Sequence, residues 1–310
     1  MSLEDPNDPA SPWSVPLQIV GRGDSSGATS IFTRHLANVC ASLTGNAYTT
    51  GSSTLPAGLV GPTYNVNNPN YPPVSGEVTG KFTVAAQNFG VVQYTAFTAV
   101  PSTALPSNCA TENSVACVAL GRITYSGTDY VLPYVADTQL NSYNLNTATL
   151  QNAFGGWEEA TPATAQAAYA DIPPPQSGKN GQYCGDCIDF GYRSDPAAWV
   201  QGNSPDSPIA DPSASGAYPL IGTANGVACT CYHSRDQEKS LAGVMSYISD
   251  AAINVDLEKA SWQPAGLAPL SKQWRAAIKT TFLSNSDGLN LELEPVGKGS
   301  VCSQSGIFGG

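Results

Sequence analysis

The sequence predicts an α/β fold for a chain of 310 residues. Segments typical of strands and of helices alternate along most of the chain, which favours helices packed against a sheet. No segment recurs at a fixed period, so a solenoid is not expected. Because domains usually contain about 50–250 residues, the chain is long enough for two cores, and we expect two lobes.

The clearest pattern in the first half is a strand, a turn and a helix. Residues 1–12 are interpreted as a tag and linker, and the apolar run "VPLQIV" at 15–20 predicts a strand. After a turn rich in glycine and serine, apolar side chains recur at helical spacing, at Ile31, Phe32, Leu36 and Val39. Turn formers dominate residues 42–81, which we interpret as mostly loop. The turn at 21–30 therefore lies between a strand and a helix.

The remaining elements are predicted from shorter patterns. Residues 81–97, "KFTVAAQNFGVVQYTAF", predict a helical turn followed by a strand from Gly90, and residues 122–134 alternate like a hairpin. Alanine-rich stretches within 146–170 favour helix, whereas 176–215 is interpreted as an insertion loop. The later segments are a strand pair at 218–232 and amphipathic helices at 238–252 and 270–285.

The composition excludes some classes of function and favours export. Only 12% of the residues are charged, glycine and proline number 30 and 24, and the net charge is -11. No run of lysine or arginine stands out, so nucleic acid is not an expected partner. No stretch approaches the roughly 20 apolar residues that span a bilayer, and the first ten residues lack the pattern of a signal peptide. An exported form would have lost its signal peptide.

The cysteine content also favours an oxidising compartment. Eight cysteines form an even set in a chain rich in small polar residues, although 105 pairings are open. Cys109 with Cys117, and Cys184 with Cys187, could close short loops. The segment "YCGDC" also has the C-x-x-C form, but its loop context and the lack of further ligands disfavour a redox or zinc site. We predict few free cysteines in the native protein.

The turn "GRGDSSGATS" at 21–30 is compatible with a hydrolase or an adhesion sequence. Its "GDSSG" matches the G-x-S-x-G form of a nucleophile elbow, with Ser25 as the nucleophile. His35 lies in the helix that the elbow would open, so His233 is the candidate base, although an ordinary loop histidine is the more common case. The Arg-Gly-Asp triplet at 22–24 is a weak adhesion signal because it runs from a strand towards a helix instead of forming a protruding tip.

An anion-binding turn accounts for more of these residues. The first turn of a helix has free backbone N–H groups and the positive end of the helix dipole, and Gly27 lets the backbone approach a ligand. Ser26 adds a hydroxyl, and Arg22 offers a planar fork suited to two oxygens of a tetrahedral anion. Asp24 could orient that fork. The purely structural alternative is a helix start capped by Asp24 or Ser25, with Arg22 in solvent.

The segment "VGRGDSSGATSIFTRHL" resembles the anion-binding segment of a known family. That family comprises the substrate-binding protein of the bacterial phosphate ABC transporter and the related DING phosphate-binding proteins, whose pattern is R-x-D-G-S-G-T before a helix. Further segments resemble the family in the same order, namely "STLPAGL", "VTGKFTVAAQNFGVVQYTAF", "SGAYPLIGTANGVACTC", "SLAGVMSYISD" and "GLAPLSKQWRAAI". The matching segments extend from residue 17 to about 282.

The resemblance implies a periplasmic-binding-protein type II fold, in which two α/β lobes close on phosphate. Carried over by position, Arg22 clasps the anion, Asp24 orients Arg22, and Ser26 and Gly27 donate hydrogen bonds. Ala28 stands where the family usually has threonine, so only its backbone N–H could donate. Ser25 replaces a glycine of the family. These two departures would suit a relaxed site or a bulkier phosphorylated ligand.

The resemblance also implies a domain plan and a setting. Residues 13–215 would form mostly lobe two with the anion-binding turn, and 216–310 the C-terminal part of lobe one. The family's first strand and its T-F/L-P turn, which precede the arginine segment, have no counterpart in this sequence. The first lobe would then be incomplete, because the sequence is a fragment, or the protein would complete the site differently. The expected protein is a monomeric, periplasmic or extracellular binder of phosphate or a phosphorylated small molecule that performs no chemistry. It would need no cofactor and could deliver its ligand to an ABC transporter membrane component. A serine hydrolase or phosphatase using Ser25 and His233, and a surface scaffold that has lost its ligand, are the alternatives.

Overall fold

A computed structural model describes twelve parts of the chain. These are residues 2–3, 15–16, 18–39, 52–64, 81–96, 122–141, 144–170, 172–178, 191–200, 208–250, 262–297 and 301–304. The chain forms two compact units, of which the first comprises Met1–Thr149 with Ser204–Asp206 and the second Leu150–Asn203 with Ser207–Gly310. These units do not coincide with segments 13–215 and 216–310, whose assignment to lobes stays a prediction.

The first unit contains a parallel sheet of four strands. Strands β1 (Ser2–Leu3) and β2 (Val15–Pro16) form a separate antiparallel pair. The parallel sheet has the order β4-β5-β3-β6. Its strands are β3 (Gln18–Arg22), β4 (Val60–Tyr64), β5 (Phe82–Ala85) and β6 (Arg122–Thr124), and the helices are α1 (Gly27–Val39), α2 (Gln87–Ala96) and α3 (Thr138–Asn141).

Two apolar clusters hold α1 and α2 to the sheet. In the first cluster, Phe32 of α1 packs against Phe82 and Val84 of β5 and against Tyr125. The second packs Val91 and its neighbours in α2 against Val20 of β3. Alternate residues of a strand point to opposite faces. The odd-numbered Ile19 packs in the first cluster and the even-numbered Val20 in the second, so α1 and α2 cover different faces of the sheet.

The strand order makes the junction of β3 and β5 a topological switch point. After β3 the chain moves towards the β4 edge of the sheet, whereas after β5 it moves towards the β6 edge. Parallel crossovers are right-handed, so connections in opposite directions lie on opposite faces. Ligands of open α/β sheets bind beyond the carboxyl ends of the strands at such a point. Strand β3 ends at this edge of the sheet, and the turn at 21–30 and helix α1 start from it.

The structure corrects two predictions for the first unit. The segment 81–97 contains strand β5 followed by helix α2, the reverse of the predicted order. Residues 122–134 form no hairpin, because β6 pairs in parallel with β3 and residues 128–130 form a 3-10 turn. Both corrections place additional strand ends beside the turn at 21–30.

The second unit has more helix than strand in its described part. The hairpin β7 (Leu150–Gln151) and β8 (Trp157–Glu158) precedes α4 (Pro162–Ala170). Strand β9 (Cys231–Tyr232) pairs in parallel with β10 (Glu294–Pro295), and a disulfide joins Cys231 to Cys302. The predicted helices are confirmed as α5 (Arg235–Asp250) and α6 (Lys272–Ile278), which continues into a π-turn at Lys279–Leu283.

A cluster of aromatic and aliphatic residues forms the core of this unit. Trp274 of α6 packs on Tyr169 of α4 and donates its indole N–H to the carbonyl of Ile172 at 2.8 Å. The strand pair predicted at 218–232 is wrong, since only its last two residues form a strand. Within 176–215, two short 3-10 turns, at Pro196–Trp199 and Pro208–Ala210, interrupt the described part of the predicted loop.

The cysteine predictions are tested only in part. Among the described cysteines, Cys231 and Cys302 are paired and the exposed Cys229 is free. The pairs suggested for Cys109 with Cys117 and for Cys184 with Cys187 lie outside the described residues. In the part of the chain that the structure describes, no helix has the length and apolar character of a membrane span, and no cluster of acidic, histidine or cysteine side chains is suited to a metal ion.

Candidate anion-binding site

Arg22 is the last residue of β3 and carries the most constrained side chain of the turn. Its Nε–H and one Nη2–H donate to the two carboxylate oxygens of Asp24, at 2.7 and 2.6 Å. Its Nη1–H donates to Oδ1 of Asn88 at 2.6 Å. A guanidinium has five N–H donors, so one N–H on each Nη atom remains. The Arg22 side chain is only 10% exposed. Its three hydrogen bonds hold it in place and leave two N–H donors for another partner.

Asp24 joins the two strand-to-helix turns. Besides the arginine, its Oδ1 accepts the backbone N–H of Gln87 at the start of α2, at 3.2 Å. The hydrogen bond from Arg22 is the main reason that the pKa of Asp24 lies below its usual value, and the same bond raises the pKa of Arg22. Asp24 is therefore ionised at neutral pH. Gln87 has a φ of 60°, a left-handed conformation that is uncommon for a residue other than glycine.

Helix α1 begins with Ser26 as its N-cap. The Ser26 carbonyl accepts the N–H of Ser30 at 3.0 Å, and its Oγ accepts the N–H of Ala28 at 3.2 Å. This corrects the alternative in which Asp24 or Ser25 caps the helix and Arg22 lies in solvent. The backbone N–H of Gly27 has no acceptor among the described residues, and no heavy atom lies within 4 Å of a Cβ built there. The helix start is open where a ligand would approach.

Tyr125 supports the site from β6, and sequence reasoning missed it. Its hydroxyl accepts the backbone N–H of Arg22 at 3.1 Å and shares a hydrogen bond of 3.0 Å with Oγ1 of Thr29. Its ring stacks on Phe32 with centroids 4.4 Å apart. Burial is the main reason that the pKa of Tyr125 is raised, so the hydroxyl stays neutral. Tyr125 thus ties the end of β3 to the first turn of α1.

Asn88 and Ser53 are the other contacts that the sequence did not indicate. Asn88 follows β5, and Ser53 lies in the described loop before β4. The Ser53 carbonyl accepts the N–H of Ser26 at 2.8 Å. The carboxyl ends of neighbouring parallel strands meet at one edge of a sheet. A correct assignment of β5 would therefore have placed Asn88, which follows this strand, beside Arg22.

The geometry does not favour the hydrolase or adhesion alternatives. The Ser25 hydroxyl donates its single proton to Oγ of Ser53 at 2.8 Å, whereas a nucleophile should donate to its base. His233 is exposed and lies between β9 and α5. An adhesion triplet would need a free arginine, but Arg22 is largely buried and bound to Asp24.

Two curated proteins are similar to this chain over most of its length. No family model matches the chain. The chain is 25% identical over 302 residues to alkaline phosphatase L of Pseudomonas aeruginosa, a match that spans 96% of this chain and 60% of that protein. It is 24% identical over 300 residues to a phosphate-binding protein from an unknown prokaryotic organism, spanning 94% of this chain and 64% of that one. The chain therefore spans less than two thirds of these curated relatives.

Solved structures of phosphate-binding proteins are similar to this chain in their fold. A DING protein matches 91% of this chain and 65% of its own, with 21% identity and a TM-score of 0.55. A high-affinity periplasmic phosphate-binding protein, PfluDING, solved with bound phosphate, matches 90% of this chain and 60% of its own, with 22% identity and a TM-score of 0.54. These matches confirm the resemblance to the phosphate-binding proteins that the turn at 21–30 predicted, and they show that the chain has their α/β fold.

Proposed function

We propose that this protein binds a tetrahedral oxyanion of the phosphate class at the start of α1, through Arg22, Asp24, Ser26, Gly27 and Ala28. The observation that carries the proposal is the guanidinium of Arg22, which is fixed from two sides and keeps one N–H on each Nη atom. Two parallel N–H groups match two oxygens of one anion. Such a fork gives geometric selection for phosphate-like groups as well as charge.

The other residues complete the donor set. The N–H of Gly27 and the positive end of the α1 dipole favour a negative ligand. The Ser26 hydroxyl keeps its proton for donation because its oxygen only accepts from Ala28. Asp24 acts through Arg22, whose orientation it fixes. Local donors of this kind can hold an anion even in a protein with a net charge of -11.

We further propose that the site is one side of a two-lobe clamp of the periplasmic-binding-protein type II class. The family resemblance and the fold of the solved relatives support this plan. By the same resemblance, 13–215 would be mostly lobe two and 216–310 part of lobe one. The protein would be an exported monomer, periplasmic or extracellular, that presents phosphate or a phosphorylated small molecule to an ABC transporter membrane component.

The proposed role is binding without turnover. One relative is named an alkaline phosphatase, so hydrolysis has to be measured. The hydrogen bond from Ser25 to Ser53 supports a structural role for that hydroxyl. We expect no hydrolysis of p-nitrophenyl phosphate by the wild type above a buffer blank, and no change in Ser25→Ala or His233→Ala. Turnover that either substitution abolishes would refute the binding role.

Calorimetric titration with phosphate at low salt tests the site. The variant Arg22→Ala loses two charge-assisted hydrogen bonds, so its affinity should fall about 100-fold or more. The exposed Arg235 of the second unit provides a control with the same change of charge. Arg235→Ala and Ser25→Ala should bind like the wild type. An Arg22→Ala variant that is folded and binds phosphate unchanged would overturn the proposal.

A further inference from the structure

We propose that the hairpin of β7 and β8 is a docking site for a protein partner whose surface presents arginine or lysine side chains among apolar ones. This role is independent of anion binding at the start of α1. Three features of residues 150–159 support it, namely two exposed aromatic side chains, a fixed turn that presents them, and acidic residues beside them.

The aromatic side chains are Phe154, in the turn of the hairpin, and Trp157, the first residue of β8. In the part of the chain that the structure describes, they are the most exposed large apolar side chains apart from Val227, at 68% each. Single exposed apolar residues are common on protein surfaces, but two large rings on one short hairpin are typical of an interaction site. Tryptophan is also enriched among the residues that contribute most to the affinity of protein interfaces.

Asn152 fixes the conformation of the turn. Its backbone N–H donates to the carbonyl of Gly156, and its own carbonyl accepts the N–H of Gly155, both at 2.9 Å. Its Oδ1 accepts the N–H of Gly156 at 2.9 Å, and its Nδ2 group donates to the carbonyl of Ala217 at 3.0 Å. Asn152 and Ala217 are both buried. The hairpin is therefore anchored in the second unit, and a partner would not have to order this turn when it binds.

The residues around the aromatic pair are acidic. Glu158 and Glu159 directly follow Trp157, and Glu159 is exposed. No lysine or arginine occurs in the sequence between Arg122 and Lys179, a segment that includes the whole hairpin. A tryptophan ring attracts a guanidinium or ammonium group over its face, and a neighbouring carboxylate adds a charge-assisted hydrogen bond. The hairpin therefore complements a surface that is both apolar and basic.

The same charges disfavour two other occupants, a second copy of this chain and a membrane. In a symmetric dimer formed through the hairpin, Glu158 and Glu159 of both copies would meet at the interface, where like charges are unfavourable. Segments that bind membrane surfaces combine aromatic residues with lysine and arginine, which attract anionic lipids. The hairpin carries no such cations, so a basic protein surface is the occupant that its chemistry favours.

An NMR titration of the ¹⁵N-labelled full chain tests this docking site. The indole N–H resonance of Trp157, assigned by its loss in Trp157→Phe, reports contact at the ring. The probe is a short peptide of alternating arginine and leucine, and a glutamate and leucine peptide of the same length is its control. We expect the arginine peptide to shift the indole resonance and the backbone amides of 150–159, and the glutamate peptide to leave them unchanged.

Substitutions separate the contributions of the ring and of the charge. Trp157→Ala should weaken binding of the arginine peptide about tenfold or more, and Glu159→Gln by about threefold. Leu267→Ala and Asp236→Asn are the controls, because they remove an exposed apolar side chain and an exposed carboxylate elsewhere in the second unit. Both controls should bind the arginine peptide like the wild type. All four variants should retain the phosphate affinity of the wild type.

The outcomes distinguish this docking site from the proposed function. An indole resonance of Trp157 that does not move at about 1 mM arginine peptide refutes the docking site, as do equal shifts with the two peptides, and the anion site then stands. Sedimentation velocity and vesicles of phosphatidylcholine with phosphatidylglycerol test the other occupants. Self-association or vesicle binding that Trp157→Ala abolishes would overturn the choice of a basic protein. A wild type that binds the arginine peptide but no phosphate would refute only the proposed function.

Discussion

The substitution Tyr125→Phe isolates the support that β6 gives to the anion-binding turn. It keeps the ring that stacks on Phe32 and removes only the hydroxyl, which accepts from the N–H of Arg22 at 3.1 Å and bonds Thr29 at 3.0 Å. Tyr125 is 6% exposed and Thr29 is fully buried. Water would not replace these partners. A buried polar group left without a partner costs about 1–3 kcal/mol, so we expect a loss of about 2–3 kcal/mol in the free energy of unfolding.

Urea unfolding followed by circular dichroism measures this loss, and amide exchange of residues 18–39 assigns it to the first unit. Tyr130→Phe is the matched control, because its hydroxyl has no hydrogen bond in the described part of the chain, and it should change stability by less than about 0.5 kcal/mol. Equal effects of the two substitutions would refute the reasoning. So would faster exchange spread over the whole chain in Tyr125→Phe, since the affected contacts join only the end of β3 and the start of α1.

Three further predictions concern pH, glycine and the disulfide. The pKa of Asp24 is lowered in the folded protein, so its stabilising contribution is complete above the unfolded value of about 4 and is lost as pH falls through the lower folded value. Urea unfolding from pH 8 to 3 should show steady stability down to about pH 5, and Asp24→Asn should weaken the acid dependence below it. Gly27→Ala should leave the melting temperature unchanged but weaken phosphate binding, because the new methyl fills open space at the helix start. Gly21→Ala should lower the free energy of unfolding by about 1–3 kcal/mol, since its Cβ would lie 2.8 Å from a methyl of Leu55. Replacing Cys231 and Cys302 with serine opens a loop with a sequence separation of 71 and should cost about 4 kcal/mol of unfolding free energy; unchanged melting would contradict this.

Local signals were sufficient for β3, α1, α5 and α6. At 15–39 an apolar run, a glycine-rich turn and apolar residues at helical spacing all indicate the same arrangement, and the structure contains it. A segment is predictable when its local sequence preferences and its place in the fold favour the same conformation, as they do here. The link between Arg22 and Asp24 was also predicted from this segment, because they are two residues apart and the bidentate pair between them needs no other part of the chain. Their role in anion binding stays a prediction.

Helix α2 shows why the adjacent segment was assigned wrongly. Residues 89–96 include Phe89, Val91, Val92 and Tyr94, which favour a strand when considered locally. Val91, Val92 and Tyr94 are fully buried. The helix is therefore apolar around much of its circumference, and the amphipathic period that would have identified it is weak. Packing on the sheet decides the conformation there, and the sequence of the segment alone does not contain that information.

The missed site residues have a different cause, which also explains how the site is built. Arg22 ends one strand, and Asn88 and Tyr125 each follow another. Asn88 is 66 positions and Tyr125 103 positions from Arg22 in the sequence. No local pattern links them, because only the parallel register of β3, β5 and β6 brings their strand ends together. Asp24 and Asn88 thus hold the guanidinium, and Tyr125 holds the backbone N–H of Arg22, so the donors that we propose for the anion are already fixed. A preorganised fork avoids part of the entropic cost of binding, so the contribution of Arg22 to affinity should depend on the integrity of β5 and β6 as much as on the turn in which Arg22 lies.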